Sequence, residues 1–346
     1  MLDKRTADIN PFVAVIVLNW QGEALIKDCL DALRQQTYQD FLTVVADNAS
    51  TDQSVKIIEE NYPDVLLYAF TENFGFAKGN NEAIRNVKKT YPNLKYLVLL
   101  NNDTKAEPQW LAELVATAET DPKIGSVASQ LICWDGQNPA TKIDSAGDMF
   151  YKHGVAGKRG YGKPRDTYQD DENVFGACAG AALYSSKALD DVGLLDEDFF
   201  AYNEDVDLAF RLRLKGYTCH FAPKANVWHR VGFSSGRYSD RSLYWAKRNS
   251  LWVIWKNFPK KLLLLYGFQI FLYAFLSDIL WCLRGRFKPI IKGRIDAFKA
   301  KARLNAQRQQ IQKTKTISEK ELKKLIILKT PWLESITRNL KPHKLD

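Results

Sequence analysis

YLVLLNNDT, residues 96 to 104, decides the fold. Tyr96 to Leu100 are five apolar or aromatic residues in a row, the pattern of a buried strand in a parallel sheet, and the run then breaks into two amides and a carboxylate. In an open α/β sheet ligands sit at the carboxyl ends of the strands, so Asp103 is delivered to a ligand position. A hard carboxylate there suits a divalent cation holding a diphosphate. Taken alone, Asn101 to Asp103 reads equally as a polar strand-end turn, because turns favour the same residue types.

Working outward, the pattern repeats. Val13 to Leu18 is a β-rich apolar run ending at Asn19, and Leu25, Cys29, Leu30 and Leu33 then share one helical face. Phe41 to Ala46 is a second strand, closed by Asp47-Asn48-Ala49-Ser50-Thr51-Asp52, with Thr51 or Asp52 placed to cap a helix that Pro63 stops. Val65 to Phe70 is a third strand, and the segment from Asn73 to Asn81 leads into another helix. Strand and helix alternate as in a nucleotide-binding α/β half. Gly75 and Gly79 have neither dinucleotide-fingerprint nor P-loop spacing, which argues against both classes.

After a helix from about Gln109 to Glu119, residues 133 to 175 are expected to be irregular, a loop region opening an acceptor-side half. Residues 176 to 184 are small and suit close backbone approach. From Gly193 to Gly216, six carboxylates fall within twelve residues around Phe199, Phe200 and Tyr202, with a helix expected from Asn203. Asp205 shares a face of that helix with Leu208, Ala209 and Leu212, which directs it inward. The helix dipole favours its ionised form and the neighbouring acids oppose it, so Asp205 is a candidate general base, and a solvated acidic helix start is the plain alternative. His229 closes a short strand, and a single His is more often a core or surface residue than a ligand. Arg248 is a candidate phosphate partner.

The bulk composition agrees with a packed, folded protein: 346 residues, 46% hydrophobic, with five scattered cysteines that suggest a reducing cytosol and neither disulfide nor zinc. No secretory signal is read at the start. The net charge of +9 is concentrated between Arg284 and Lys329, where fifteen Lys or Arg face three acids. Beside an apolar neighbour, this basic stretch favours an anionic membrane over nucleic acid.

In order along the chain, VLNW at 17 to 20, DNASTD at 47 to 52, NFGFAKGNN at 73 to 81, LLNNDT at 99 to 104, the acidic segment at 193 to 216, VWH at 227 to 229 and KRN at 247 to 249 resemble glycosyltransferase family 2, its rhamnosyltransferase-like branch most closely. The resemblance runs from about Val13 to Asn249. It implies a GT-A fold, an α/β mixed sheet flanked by helices, with a nucleotide-diphosphate sugar donor, a divalent metal (Mg²⁺ or Mn²⁺) and inversion at the anomeric carbon. It implies a donor site drawn from Asn19, Asp47, Asn73, Gly79, Asn80, Asn102 and Arg248, with Asp47 reading the base. Asp103 and His229 are then the metal ligands, and Asp205 the catalytic base with Glu204 as its partner. Two departures stand out. The metal-binding acid is preceded by Asn101 and Asn102, so one carboxylate carries that motif, and the QxxRW signature of processive members is absent, which argues for adding one sugar or few.

The expected layout is a GT-A domain over 1–250 (13–130 nucleotide-sugar half, 131–250 acceptor half), apolar membrane-associating helices over 251–290, and a basic helical tail over 291–346, partly solvent-facing. Leu262 to Leu283 is long enough to span a bilayer, but Gln269 and Asp278 oppose easy insertion and both flanks are basic. Helices lying in the cytoplasmic leaflet are favoured, a single span is the runner-up, and a dimerisation helix in a homo-oligomer is the plainest alternative. The implied acceptor is lipid-linked or a surface polysaccharide. Rival functions are the same chemistry with another nucleotide sugar, a catalytically silent module in a polysaccharide assembly complex, and a nucleotidyltransferase, which would need a basic loop where Asn19 to Gly22 stands.

Overall fold

The computed structural model describes residues 11–135, 141–230 and 239–327; the expected tail beyond 327 lies outside them. β1 (Val13–Asn19), β2 (Phe41–Asp47), β3 (Leu66–Ala69) and β4 (Tyr96–Asn101) fall within two residues of the sequence pattern, connected by α1 (Ile26–Arg34), α2 (Ser54–Asn61) and α3 (Gly75–Thr90). They pair in parallel in the order β3-β2-β1-β4. Continuous apolar runs are required because both faces are covered: Ala14, Ile16, Leu97 and Leu99 pack under α3, and Val13, Val15, Val98 and Leu100 pack under α1.

β5 (Thr104–Ala106), α4 (Trp110–Ala118) and β6 (Ile124–Cys133) follow. The stretch from 133 to 175, expected to be irregular, contains β7 (Ile143–Ser145), β8 (Asp148–Tyr151), β9 (Ala156–Lys158) and β10 (Glu172–Asn173). Strands of two to four residues are too short to display an alternation in the sequence. β8 and β9 form a hairpin, and β7 and β10 pair with larger strands. After β11 (Ala181–Ser185), α5 (Ser186–Val192), α6 (Glu204–Leu214) and β12 (Thr218–His229), the sheet is mixed, ordered β10-β12-β6-β11-β4-β1-β2-β3. β11 runs antiparallel between β4 and β6.

α7 (Asp240–Asn257), α8 (Lys260–Leu283), α9 (Phe287–Lys299), α10 (Lys301–Thr314), α11 (Glu319–Leu325) and β13 (Ile326–Ile327) complete the described chain. The boundary expected at residue 250 falls inside α7. The basic segment up to 327 is folded onto the body: Ala297, Leu304, Leu322 and Ile326 share a buried cluster with Phe150, Phe210 and Phe258, and β13 pairs with β8. Buried Lys256 of α7 bridges Asp196 (2.5 Å) and Asp207 of α6 (2.9 Å). Asp278, the charge that interrupts the apolar α8, is ion-paired to Lys247 of α7 and Arg294 of α9, so it faces protein.

Candidate active site

The strand ends converge by register. Asn19 lies opposite Asp47, and Leu18 opposite Asn101. The Asn19 side chain donates to Asp47 (2.7 Å) and Ser54 (3.0 Å) and accepts from Asn102 (2.8 Å), all three partners buried. The second Asp47 oxygen accepts the Ser50 N–H. Asn48 ties the next loop, donating to the Asn73 side chain and the Gly75 carbonyl and accepting from the Phe74 N–H. Asn80 donates to the Phe76 carbonyl. Gly79 packs closely, since a Cβ there would lie 2.8 Å from Leu18 Cδ1 and 3.3 Å from the Asn48 side chain. The residues expected to contact the donor thus spend their hydrogen bonds on one another. Asn19, Asn73 and Gly79 in particular shape the floor of a cradle, with Asn48, not foreseen, as its organiser.

Asp103 is placed by strand pairing. β5 runs antiparallel to β12 with Thr104 opposite His229, and the Arg230 N–H donates to the Asp103 carbonyl (2.8 Å). This brings His229 Nε2 to 3.4 Å from Asp103 Oδ1. Nδ1 of the same ring is 2.9 Å from Asp144, whose carboxylate accepts from Lys158 Nζ at 2.7 and 2.8 Å. Burial disfavours a charged imidazole, but hydrogen bonding to Asp103 and Asp144 prevails and raises the His229 pKa to about 9. Asp144 is fully buried, yet Lys158 and His229 hold its carboxyl well below the usual range. Neither Asp144 nor Lys158 was foreseen from the sequence.

This pair fits a divalent ion. Neighbouring ligands at bonds of roughly 2.1 Å stand about 3.0 Å apart in octahedral geometry, so atoms at 3.4 Å need only a small shift to share an ion, and a carboxylate on Nδ1 fixes the imidazole with Nε2 toward Asp103. Among the described residues no set of three or more His, Cys, Asp or Glu side chains completes such a site. An ion held here draws its remaining ligands from substrate and water.

The acids of α6 follow a tightly held turn. Phe200, Tyr202 and Asn203 are left-handed (φ 64°, 72° and 67°), costing on the order of 1 kcal/mol or more each unless the surroundings enforce them. The Phe200 carbonyl accepts from the Phe76 and Ala77 N–H groups at the start of α3. Asn249 Nδ2 is shared among the carbonyls of Phe199, Ala201 and Tyr202 at 2.7–3.1 Å. Arg248 donates to the carbonyls of Asp198 and Phe199 and stacks over Trp252. Arg248, expected at the phosphates, therefore clamps this turn from α7, because its donors are spent on backbone there.

Asp205 is half-buried and accepts from the N–H groups of Val206 (2.8 Å) and Ala179 (3.3 Å). Burial raises its pKa, with those N–H groups opposing. Glu204 is buried with no hydrogen-bond partner for Oε2, and burial followed by the charge of Asp205 pushes it well up. Asp148 of β8, also unforeseen, is buried and raised by the same two causes. Asp207 behaves oppositely: its burial is outweighed by Lys256 and Arg211, which lower it to about 2.

A cavity of about 620 Å³ joins these parts. Asp103, His229, Lys158 and Asn203 line one end, and Ile270, Tyr273 and Trp281 of α8 line the other. Asn203 and Val206, which flank Glu204 and Asp205 in the sequence, also line it, and the two acids themselves do not.

The sequence profile of glycosyl transferase family 2 matches residues 13–193, from the first strand of the cradle to the end of α5. The chain belongs to glycosyl transferase family 2. This family 2 enzyme is a glycosyltransferase of GT-A fold. It is 25% identical over 268 residues, 71% of this chain and 86% of the relative, to N-acetylglucosaminyl-diphospho-decaprenol L-rhamnosyltransferase of Mycobacterium tuberculosis (strain CDC 1551 / Oshkosh). Two solved structures share the fold. The structure of GalNAc-T7 with UDP, GalNAc and Mn²⁺ superposes with a TM-score of 0.56 at 15% identity, covering 73% of this chain and 48% of that one. The mannosyltransferase PcManGT from Pyrobaculum calidifontis, with GDP-Man and Mn²⁺, superposes with a TM-score of 0.51 at 18% identity over 96% of this chain and 85% of its own. The chain thus spans about half the length of GalNAc-T7.

Proposed function

We propose that this glycosyltransferase moves one sugar, with inversion, from a nucleotide-diphosphate donor to a lipid-linked or cell-surface polysaccharide acceptor at the cytoplasmic face of the membrane. The observation that carries this reading is the convergence of Asp103, His229 and the Asn203 turn on one cavity. L-rhamnose from dTDP-rhamnose is the favoured donor, supported by the likeness to the mycobacterial rhamnosyltransferase.

Asp47 and Asn80 border the nucleoside in the cradle, and Asp103 with His229 would hold Mg²⁺ or Mn²⁺ against the diphosphate. Such an ion, when bound, stabilises the charge developing on the leaving diphosphate. Asp205 accepts the proton of the acceptor hydroxyl. Its proton affinity, raised by burial, brings it closer to the strength a general base needs at neutral pH. Attack from the face opposite the departing diphosphate inverts the anomeric centre, as a water does in an inverting glycosidase.

Membrane association rests on α8 and α9. α8 is long and apolar enough to cross a bilayer, with mean hydropathy 1.7. Yet Leu264, Phe268, Phe271 and Phe275 of α8 and Phe287 and Phe298 of α9 are all exposed, and the Asp278 ion pairs tie α8 to its neighbours. A lone span would break those pairs in hydrocarbon, so the two helices lie in the leaflet with the basic residues around them on anionic headgroups.

The test is transfer and hydrolysis of a panel of nucleotide sugars by the detergent-purified protein with Mg²⁺ or Mn²⁺, beside Asp205→Asn and Asp103→Ala. One donor should turn over. Asp205→Asn should lose about 10²–10⁴-fold in transfer while nucleotide binding survives. A preferred UDP-sugar would replace rhamnose, and absence of both turnover and nucleotide binding would end the enzymatic reading.

A further inference from the structure

Within the catalytic cavity, the wall away from Asp103 has chemistry that a nucleotide sugar does not need. Phe150, Val155, Leu251, Ile254, Ile270 and Ala274 form an apolar section running from Lys158 to α8. The floor of the donor cradle, Asn19 and Asp47, does not line this cavity, which meets the donor side through Asn101 and Asp103. The cations at the far end are tied into the protein: Lys247 bonds Ser277 and Asp278, and Arg294 bonds Asp278 through two nitrogens, so one carboxylate is shared by two cations.

The section is also tightly framed. Gly154 at the tip of the β8–β9 hairpin has φ +83°, and a Cβ there would lie 2.7 Å from Ile254 and 3.1 Å from Ile270, so hairpin, α7 and α8 close on one another. His153 packs against Tyr273 of α8 with ring centroids 4.2 Å apart and ring planes tilted by 44°. The opposite face of α8 carries the exposed Phe268, Phe271 and Phe275. One helix thus separates an apolar outer surface from an apolar inner channel that ends at the catalytic groups.

We infer that this channel binds the apolar tail of the acceptor, seating the first isoprenoid units of a lipid diphosphate between the β8–β9 hairpin, α7 and α8 so that the sugar hydroxyl reaches Asp205. The inference rests on the lipid-linked acceptor proposed above and adds where the lipid is held. The whole cavity, catalytic end included, measures about 620 Å³, within the range of small-molecule sites, roughly 300–1,000 Å³.

Two measurements on the full chain in detergent separate this inference from the proposed activity. First, photolabelling with a benzophenone-bearing geranylgeranyl diphosphate, mapped by mass spectrometry, should mark α8 and the β8–β9 hairpin. It should fall at least about tenfold in Ala274→Trp and Leu251→Trp, which fill the channel without touching the catalytic groups. Second, N-acetylglucosaminyl diphosphate carrying a geranylgeranyl chain should exceed its ethyl counterpart in kcat/KM by at least about tenfold. Both variants should lose that preference while keeping ethyl-acceptor transfer, nucleotide binding and melting temperature. Labelling of the channel without transfer to either acceptor sustains the channel and sinks the transferase reading. Transfer with tail preference but labels elsewhere, preference surviving in both variants, or equal labelling by a fatty-acyl probe overturns the channel assignment.

Discussion

The proposed donor and acceptor sides of this enzyme hold their functional groups by different means. At the proposed donor cradle several bonds span 3 to 35 residues, Asp47 to Ser50, Asn48 to Asn73 and Asn19 to Ser54, with one longer tie from Asn102 to Asn19. On the acceptor side the turn before α6 is held by Asn249 and Arg248, about fifty residues further on, and by the start of α3, while His229 is oriented by Asp144, 85 residues earlier. A motif that closes on itself carries its geometry with it. A turn held by a distant helix is only as stable as that helix's docking, so α7, to which α8 and α9 are tied through Lys247, braces the turn before α6.

The most severe way to break that brace is Lys256→Met. It leaves Asp207 and Asp196 without the ammonium that joins α7 to α6, and breaking a buried pair costs about 3–5 kcal/mol in denaturant unfolding. On the donor side Arg34→Met removes an exposed pair with Asp64 and should cost about 0–1 kcal/mol. Equal losses would erase the contrast.

Acid sharpens the same point. The folded pKa of Asp207, about 2, lies below its unfolded value, so its contribution is present above about pH 4 and lost as pH falls towards 2. A shift of this size is worth about 2.6 kcal/mol. Unfolding free energy measured from pH 5 to pH 2 should fall more steeply in the native chain than in Asp207→Asn, and parallel curves would contradict the pairing.

Asn249→Ala should act on chemistry more than on donor binding. Three carbonyls lose a donor, at about 2 kcal/mol of stability. kcat should drop with little change in donor KM. Asn48→Ala, in the cradle, should raise donor KM first. The reverse assignment of the two effects would show that the halves are not separate.

What the sequence displayed follows the same divide. β1 and β4 were legible because a strand buried on both faces must be apolar throughout, and Asp103 because it follows one; β3, the half-buried edge strand, was legible from its apolar run alone. Arg248 was expected at the phosphates and its donors meet the carbonyls of Asp198 and Phe199, because a cation beside an aromatic helix face looks the same in a sequence whether it meets a phosphate or a backbone carbonyl. The four short strands between 143 and 173 lacked length to show a period. Asp144, Asp148 and Lys158 stood there as isolated charges whose partners, His229 and Asp205, are far along the chain.

Asp144 gives the subtlest test, because it touches neither the expected ligand atom Nε2 nor the cavity. If it acts by fixing the imidazole, Asp144→Asn should weaken Mn²⁺ binding, followed by paramagnetic relaxation in the presence of nucleotide diphosphate, by about 10–100-fold. His229→Ala should weaken it at least as much, and the double variant should add little, since both changes remove one oriented ligand. Additive losses would mean that Asp144 serves Lys158 alone and that the histidine is positioned by strand pairing with β5, making this corner of the acceptor side as locally determined as the donor cradle.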